Sequence, residues 1–207
     1  MKHTKRSTYS TAFSAGALLF KESEAVVGSI SDEEAFIRGD EKVDYGCIPV
    51  NSEASKKRLG TEVVTRLRNL GDAQFIRLYK GATKEDKLLI LFYAACKTYR
   101  LIAGFMLEIV LDKWYHMDYE LRSDDFKNFL FRQMDKHPEL EDLTPLTISR
   151  RASTVILMIK ELGLIKDGKL QKKEYNPTIL KGIAASGDAW FLEVLLLNEE
   201  ERNEILS

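Results

Sequence analysis

The chain has 207 residues, 44% hydrophobic and 30% charged, with a formal net charge of −1. That is the profile of a soluble globular protein able to bury a core as one compact domain or two small ones. Cys47 and Cys96 lie far apart without CxxC spacing, which argues against a disulfide framework and a thiolate zinc site, and both are expected as buried thiols in a reducing cytoplasm.

The N-terminal MKHTKRSTYSTAFSAGALLFKESEAVVG starts basic, but its apolar run from Ala15 to Phe20 is shorter than the core of a signal peptide, and Lys21, Glu22 and Glu24 follow at once. It predicts an amphipathic helix from Ser14 to about Val27. The acidic SISDEEAFIRGDEKVDYGCIPV is expected to be irregular or only briefly structured. Asn51 or Ser52 caps a helix from about Glu53 to Leu70 that stops at Gly71, and Phe75 to Tyr79 belongs to another short helix. Thr83 opens a long apolar helix running to about His116, a cap residue there. Its stretch from Leu88 to Leu111 has the length of a membrane span. Lys97, Arg100 and Glu108 interrupt it, each costing roughly 2.5–3.5 kcal/mol near a bilayer centre, so a buried central helix is expected and no membrane partner.

Ser123 caps a helix from Asp124 to Lys136. Thr144 or Thr147 caps the next, with Pro145 leading in and Gly163 ending it. Asp167-Gly168 then lies between two short extended runs, a type I′ hairpin signal, because both central residues of that turn need positive φ. Gly187 to Leu197 is apolar and helical, and Asn198 caps a final turn. Trp114, Tyr115, Trp190 and Phe191 are expected as core anchors. The fold class expected is all-α, with helix-turn-helix or winged-helix units packed in a compact globule and one short β-hairpin wing. Residues 1–80 would form an N-terminal helical unit, and 81–207 the long central helix plus a C-terminal winged unit.

The charge nearly cancels but is segregated. Segments 45–80 and 144–181 carry +4 and +5, while 21–44 and 182–207 carry −5 each. Each basic segment holds a helix of similar design. In the second, Ile148, Ala152, Val155, Ile156, Ile159 and Leu162 fall within an arc of about 120°. Arg150, Ser153 and Thr154 take the opposite side, Ser149 a flank, and Arg151 the edge of the apolar arc. In the first, Leu59, Val63, Leu67 and Leu70 make the stripe, and Lys57, Arg58, Thr61, Thr65 and Arg68 face away. Arginine donates bidentately to guanine or phosphate, hydroxyls and helix N-termini suit phosphate oxygens, and the hairpin lysines Lys169 and Lys172 would track the backbone. Aromatic residues are not interleaved with the basic ones, so single-strand stacking is disfavoured. An RNA-binding helical protein is the weaker nucleic-acid alternative.

Three phrases, YSTAFSAGALLFKESEAVV, NSEASKKRLGTEVVTRLRNL and TPLTISRRASTVILMIKELGLI, together resemble BrxA, a small component of BREX bacteriophage-exclusion systems, over about residues 7–200. The resemblance implies a helical cytoplasmic protein with helix-turn-helix units that binds double-stranded DNA, alongside a methyltransferase and ATPases. Matched residue by residue, the DNA-facing positions would be Lys56, Lys57 and Arg58 in the first unit, and Thr147, Ser149, Arg150, Arg151 and Ser153 in the second. No phosphate-binding or dinucleotide glycine loop is present, and His3, His116 and His137 are dispersed, so no catalytic site, cofactor or metal is expected. The absence of a heptad seam makes a monomer the default. The competing reading is an adaptor without DNA binding, docking a larger defence partner through the apolar AWFLEVLLL and the acidic tail.

Overall fold

Every residue from Leu89 to Cys96 is buried, so that stretch must be covered on all sides, and the other helices are arranged around it. The computed structural model describes residues 11, 13, 16–140 and 142–207, with the backbone alone at residue 139. The N-terminal part comprises α1 (Phe20–Ser29), α2 (Glu33–Arg38), a 3-10 turn (Tyr45–Cys47), α3 (Glu53–Arg68) and α4 (Gln74–Gly81). The central α5 (Lys84–Thr98) leads to α6 (Arg100–Phe105), which runs through a π turn (Met106–Val110) into α7 (Leu111–Tyr115). Then come α8 (Ser123–Met134), a 3-10 turn (Pro138–Leu140), α9 (Pro145–Leu162), a hairpin of β1 (Ile165–Lys166) and β2 (Lys169–Leu170), α10 (Pro177–Ala185), α11 (Phe191–Val194) and α12 (Glu199–Leu206).

α3 packs on α1 and α5, and α9 packs on α5 and α8. Buried apolar residues from Phe13 to Leu197 make one continuous core, which crosses the boundary at residue 80. Its aromatic centres are Phe75, Tyr93 and Phe191 near α5, and Phe105, Phe126 and Phe129 between α6 and α8. The hydroxyl and amide caps fall where the sequence placed them: Ser52, Thr83, Thr144 and Asn198 each accept a backbone N–H in the first turn of their helix.

Long-range contacts override local pattern elsewhere. Ser14 and Ala15 lie outside the described residues, but Gly16 to Leu19 are not helical and α1 starts only at Phe20. The Arg66 guanidinium holds the carbonyls of Ala17 (2.6 Å) and Gly16 (3.4 Å), Glu161 accepts the Leu18 N–H at 2.8 Å, and Leu19 adopts φ 55°. A lead-in strapped to α3 and α9 cannot also wind into a helix.

The central helix is not continuous to His116. It breaks at Tyr99 (φ −121°, ψ 96°), and the two halves bend by 104°. Tyr99 is held there by its hydroxyl, which donates to Glu62 at 2.6 Å, and by edge-on packing against Phe13 at 5.3 Å. Among the described residues no single helix is long and apolar enough to cross a membrane.

Smaller corrections follow the same logic. Arg122, not Ser123, is the cap residue of α8, because the Asp125 carboxylate takes its N–H at 2.7 Å. Only Phe191–Val194 of the apolar C-terminal run is helical, since Leu196 turns the chain at φ 61°. Phe191, Leu192 and Val194 to Leu197 are all buried, so most of AWFLEVLLL is core, with Trp190 half-buried at its edge. Cys96 is buried and its thiol pushed far up by burial, but Cys47 is exposed. Its 3-10 turn sends Ile48 inward in its place. Tyr115 is 57% exposed, while Trp114 packs on Tyr119 with ring centroids 5.1 Å apart.

Candidate nucleic-acid interface

α9 is built to present one face. Thr144 accepts the Thr147 N–H at 3.2 Å, and Pro145 occupies the first helical position, where its missing N–H costs nothing. Ile148, Ala152, Val155, Met158, Ile159 and Leu162 are buried, which fixes the rotation of the helix. Gly163 (φ 92°) closes it with Leu164 N–H on Ile159 O, a Schellman closure. The remaining C-terminal carbonyls are satisfied from the segment beyond: Lys173 reaches Leu162 O at 3.0 Å and Gln171 reaches Gly163 O at 2.7 Å. Lys173 is therefore a structural lysine.

The outward side of the first turns lines an open groove of about 610 Å³ with Thr147, Ser149, Arg150, Arg151, Ser153 and Thr154, and Arg58 of α3 lines it too. Residues of both basic helices thus line one concavity, and no carboxylate among the described residues lines it. Arg150 is exposed, and its guanidinium makes no hydrogen bond or ion pair with a described residue. Ser153 and Thr154 donate their hydroxyl protons back to Ser149 O (3.1 Å) and Arg150 O (2.9 Å). Their outward lone pairs remain acceptors.

Arg151 differs from its neighbour, as its place at the edge of the apolar arc implied. It is half-buried, its guanidinium lies 5.7 Å from the centre of the Phe13 ring, and its buried Nε has no partner among the described residues. Burial pulls its pKa down, Tyr99 and Glu62 behind it push up, and Arg150 pulls down again. Beneath lies a buried chain of contacts in which Glu62 accepts from both Arg66 Nε and the Tyr99 hydroxyl at 2.6 Å. The groove floor and the strapped N-terminal lead-in are one packed unit.

Other sequence-chosen residues lie elsewhere or are engaged. Lys57 is exposed without a described ion pair, whereas Lys56 is paired with Glu53 at 2.7 Å. Arg68 does not line the groove: it donates to Phe36 O (2.9 Å) and Glu41 O (2.7 Å) and stacks on the Phe36 ring, tying α3 to the acidic loop. Lys172 is taken by Glu201 of α12 at 2.6 Å.

Asp167 (φ 52°) and Gly168 (φ 78°) form the expected turn, with Ile165 and Leu170 inward and Lys166 opposite Lys169 on the exposed side. Leu170 N–H also donates to Tyr119 O at 2.7 Å, and Glu120 bridges Lys169, so an extended segment preceding α8 joins the hairpin edge.

The BrxA family model matches residues 7–186. This chain belongs to the BrxA family. A BREX protein BrxA from Bacillus cereus (strain H3081.97) is 25% identical over 199 residues, covering 93% of this chain and 98% of that one. The crystal structure of an uncharacterized protein from Magnetospirillum magneticum shares the fold, with TM-score 0.72 and 15% identity over 90% of this chain and 97% of that one. The chain is thus a BrxA member of the BREX phage-defence systems. Within this BrxA chain, Lys166 is a further exposed hairpin lysine beside Lys169. Its position opposite Lys169 across a two-residue turn follows from the sequence, because residues flanking a type I′ turn are cross-strand partners.

Proposed function

We propose that this BrxA protein is a non-catalytic accessory component that binds double-stranded DNA in the groove between α3 and α9, with other BREX components as its protein partners. The observation that carries the reading is the groove itself: cations and hydroxyls of two separate helices line it, with no carboxylate among them. A protein of net charge −1 does not gather such a lining by composition alone. Local fields act within about 10 Å at ~0.1 M salt, so a polyanion at the groove responds to this patch and not to the sum.

Two features support the same reading. The order of extended segment, α8, α9 and hairpin is that of a winged helix-turn-helix, in which the second helix enters the major groove and the hairpin runs along the backbone. The link from α8 to α9, about ten residues with its own 3-10 turn, is longer than the usual three to four. Lys166 and Lys169 also stand directly opposite each other without a described ion pair. Like charges so placed are destabilising on their own and become favourable beside phosphate.

The test is fluorescence anisotropy with a labelled duplex of about 24 base pairs, in competition with single-stranded DNA and double-stranded RNA. Wild-type protein is expected to prefer duplex DNA, and Arg150→Ala to weaken it at least several-fold with the melting temperature unchanged. No duplex binding at low salt would sink the reading.

A further inference from the structure

We infer that α9 reads bases as well as phosphates, and that Leu146 together with Arg150 selects thymine beside guanine in the major groove. This rests on the duplex-binding reading above. At 100° per residue, Leu146, Arg150 and Ser153 fall within an arc of about 60°, on the side opposite the buried stripe. Leu146, in the first turn, is 59% exposed, whereas Leu162 of the same helix is fully buried. Leu157 lies in the same outward arc and is 46% exposed, but about three turns beyond Leu146 it lines a separate concavity with Leu19 and Phe20.

An outward leucine one turn from an arginine with no described partner is an awkward partner for phosphate alone. Phosphate contacts want charge and hydrogen-bond donors, and an exposed isobutyl group provides neither. In the major groove the same face makes sense. The thymine C5-methyl is the apolar feature there, and guanine O6 and N7 are the acceptors that one arginine meets bidentately. Ser153 has given its proton to Ser149 O, so it turns acceptor lone pairs outward, suited to the amino group of adenine or cytosine. From Leu146 to Ser153 the helix rises about 10.5 Å, so three chemistries, apolar, donor and acceptor, are spread over about three base steps. The major groove, about 12 Å wide, admits an α-helix lying along it.

Uracil differs from thymine by that methyl alone, which makes it the probe. Duplexes of one pooled sequence, carrying either thymine or deoxyuridine throughout, are titrated with wild type and with Leu146→Ala, whose fold is checked by circular dichroism and melting. Wild type is expected to bind the thymine pool about four-fold tighter or more, the value of one buried methyl, and Leu146→Ala to bind both pools equally. Equal binding of both pools by wild type would overturn the inference while leaving duplex binding intact. A thymine preference that survives in Leu146→Ala would overturn it too. Failure of wild type to bind either pool would remove the duplex-binding reading itself.

Discussion

Of the basic side chains on α3, Arg66 is buried against Glu62 and two carbonyls, Arg68 is held by two further carbonyls, and Lys56 is paired with Glu53. On the first turns of α9, by contrast, Arg150 is exposed and makes no described contact through its guanidinium, and the Arg151 Nε has no partner among the described residues. The two helices have similar sequences, with small polar residues, then a basic cluster, over an apolar stripe. They differ in what the rest of the chain brings to them. Carbonyls released by the non-helical lead-in and by the acidic loop need donors, and α3 supplies them; α9 faces no such demand. A count of positive residues therefore measures an interface poorly, and the partners of each guanidinium measure it well.

Removing an engaged cation should cost stability, and removing an unengaged one should cost binding. The largest effect is expected at Arg66. Arg66→Met leaves Glu62 without its cation and two carbonyls without their donor, a loss of about 3–5 kcal/mol in chemical denaturation. A loss below about 1 kcal/mol would mean that the lead-in is not held by this residue. Next comes Gly60→Ala: the added Cβ would stand 2.4 Å from the Tyr45 ring, so about 1–3 kcal/mol is expected, with recovery when Tyr45 is also reduced to Ala. Lack of recovery would place the strain elsewhere.

Arg68→Gln and Arg150→Ala form the sharpest pair. The first should lower stability by about 1–3 kcal/mol and leave duplex affinity unchanged. The second should leave stability within about 0.5 kcal/mol and weaken duplex binding at least several-fold. An exchange of the two outcomes would invert the comparison.

The smallest effect concerns acid stability near α5. Burial raises the Asp188 pKa, but donors from Lys97 (2.7 Å), Tyr93 (2.5 Å) and Trp190 (2.9 Å) more than offset this, and the carboxyl titrates below its ordinary value. A depressed folded-state pKa contributes stability that is present above the unfolded value, near pH 4, and is lost as the pH falls through the folded one. Melting temperature should therefore drop below about pH 4, and Asp188→Asn should flatten that limb. An unchanged acid limb in the variant would remove Asp188 from the balance.

Much of this was legible from the chain. Side-chain caps at Ser52, Thr83, Thr144 and Asn198, the Gly163 closure and the Asp167-Gly168 turn depend on residues within a few positions, so local chemistry decides them. The separation of Arg150 from Arg151 followed from helical periodicity alone. Hidden from the sequence were the features set by distant partners: the break at Tyr99, which turns on Glu62 and Phe13, the late start of α1, which turns on Arg66 and Glu161, and the engagement of Arg68 by Phe36 and Glu41. That Arg58 and Arg150 line one groove is of this kind too, since nothing in either helix names the other.

The shared groove is the central claim, and the duplex affinity of Arg58→Ala/Arg150→Ala beside the two single variants tests it most directly. If both residues meet one duplex, the double variant should bind more weakly than either single variant, with the protein still folded. Duplex affinity in the double variant equal to that of wild type would contradict the account.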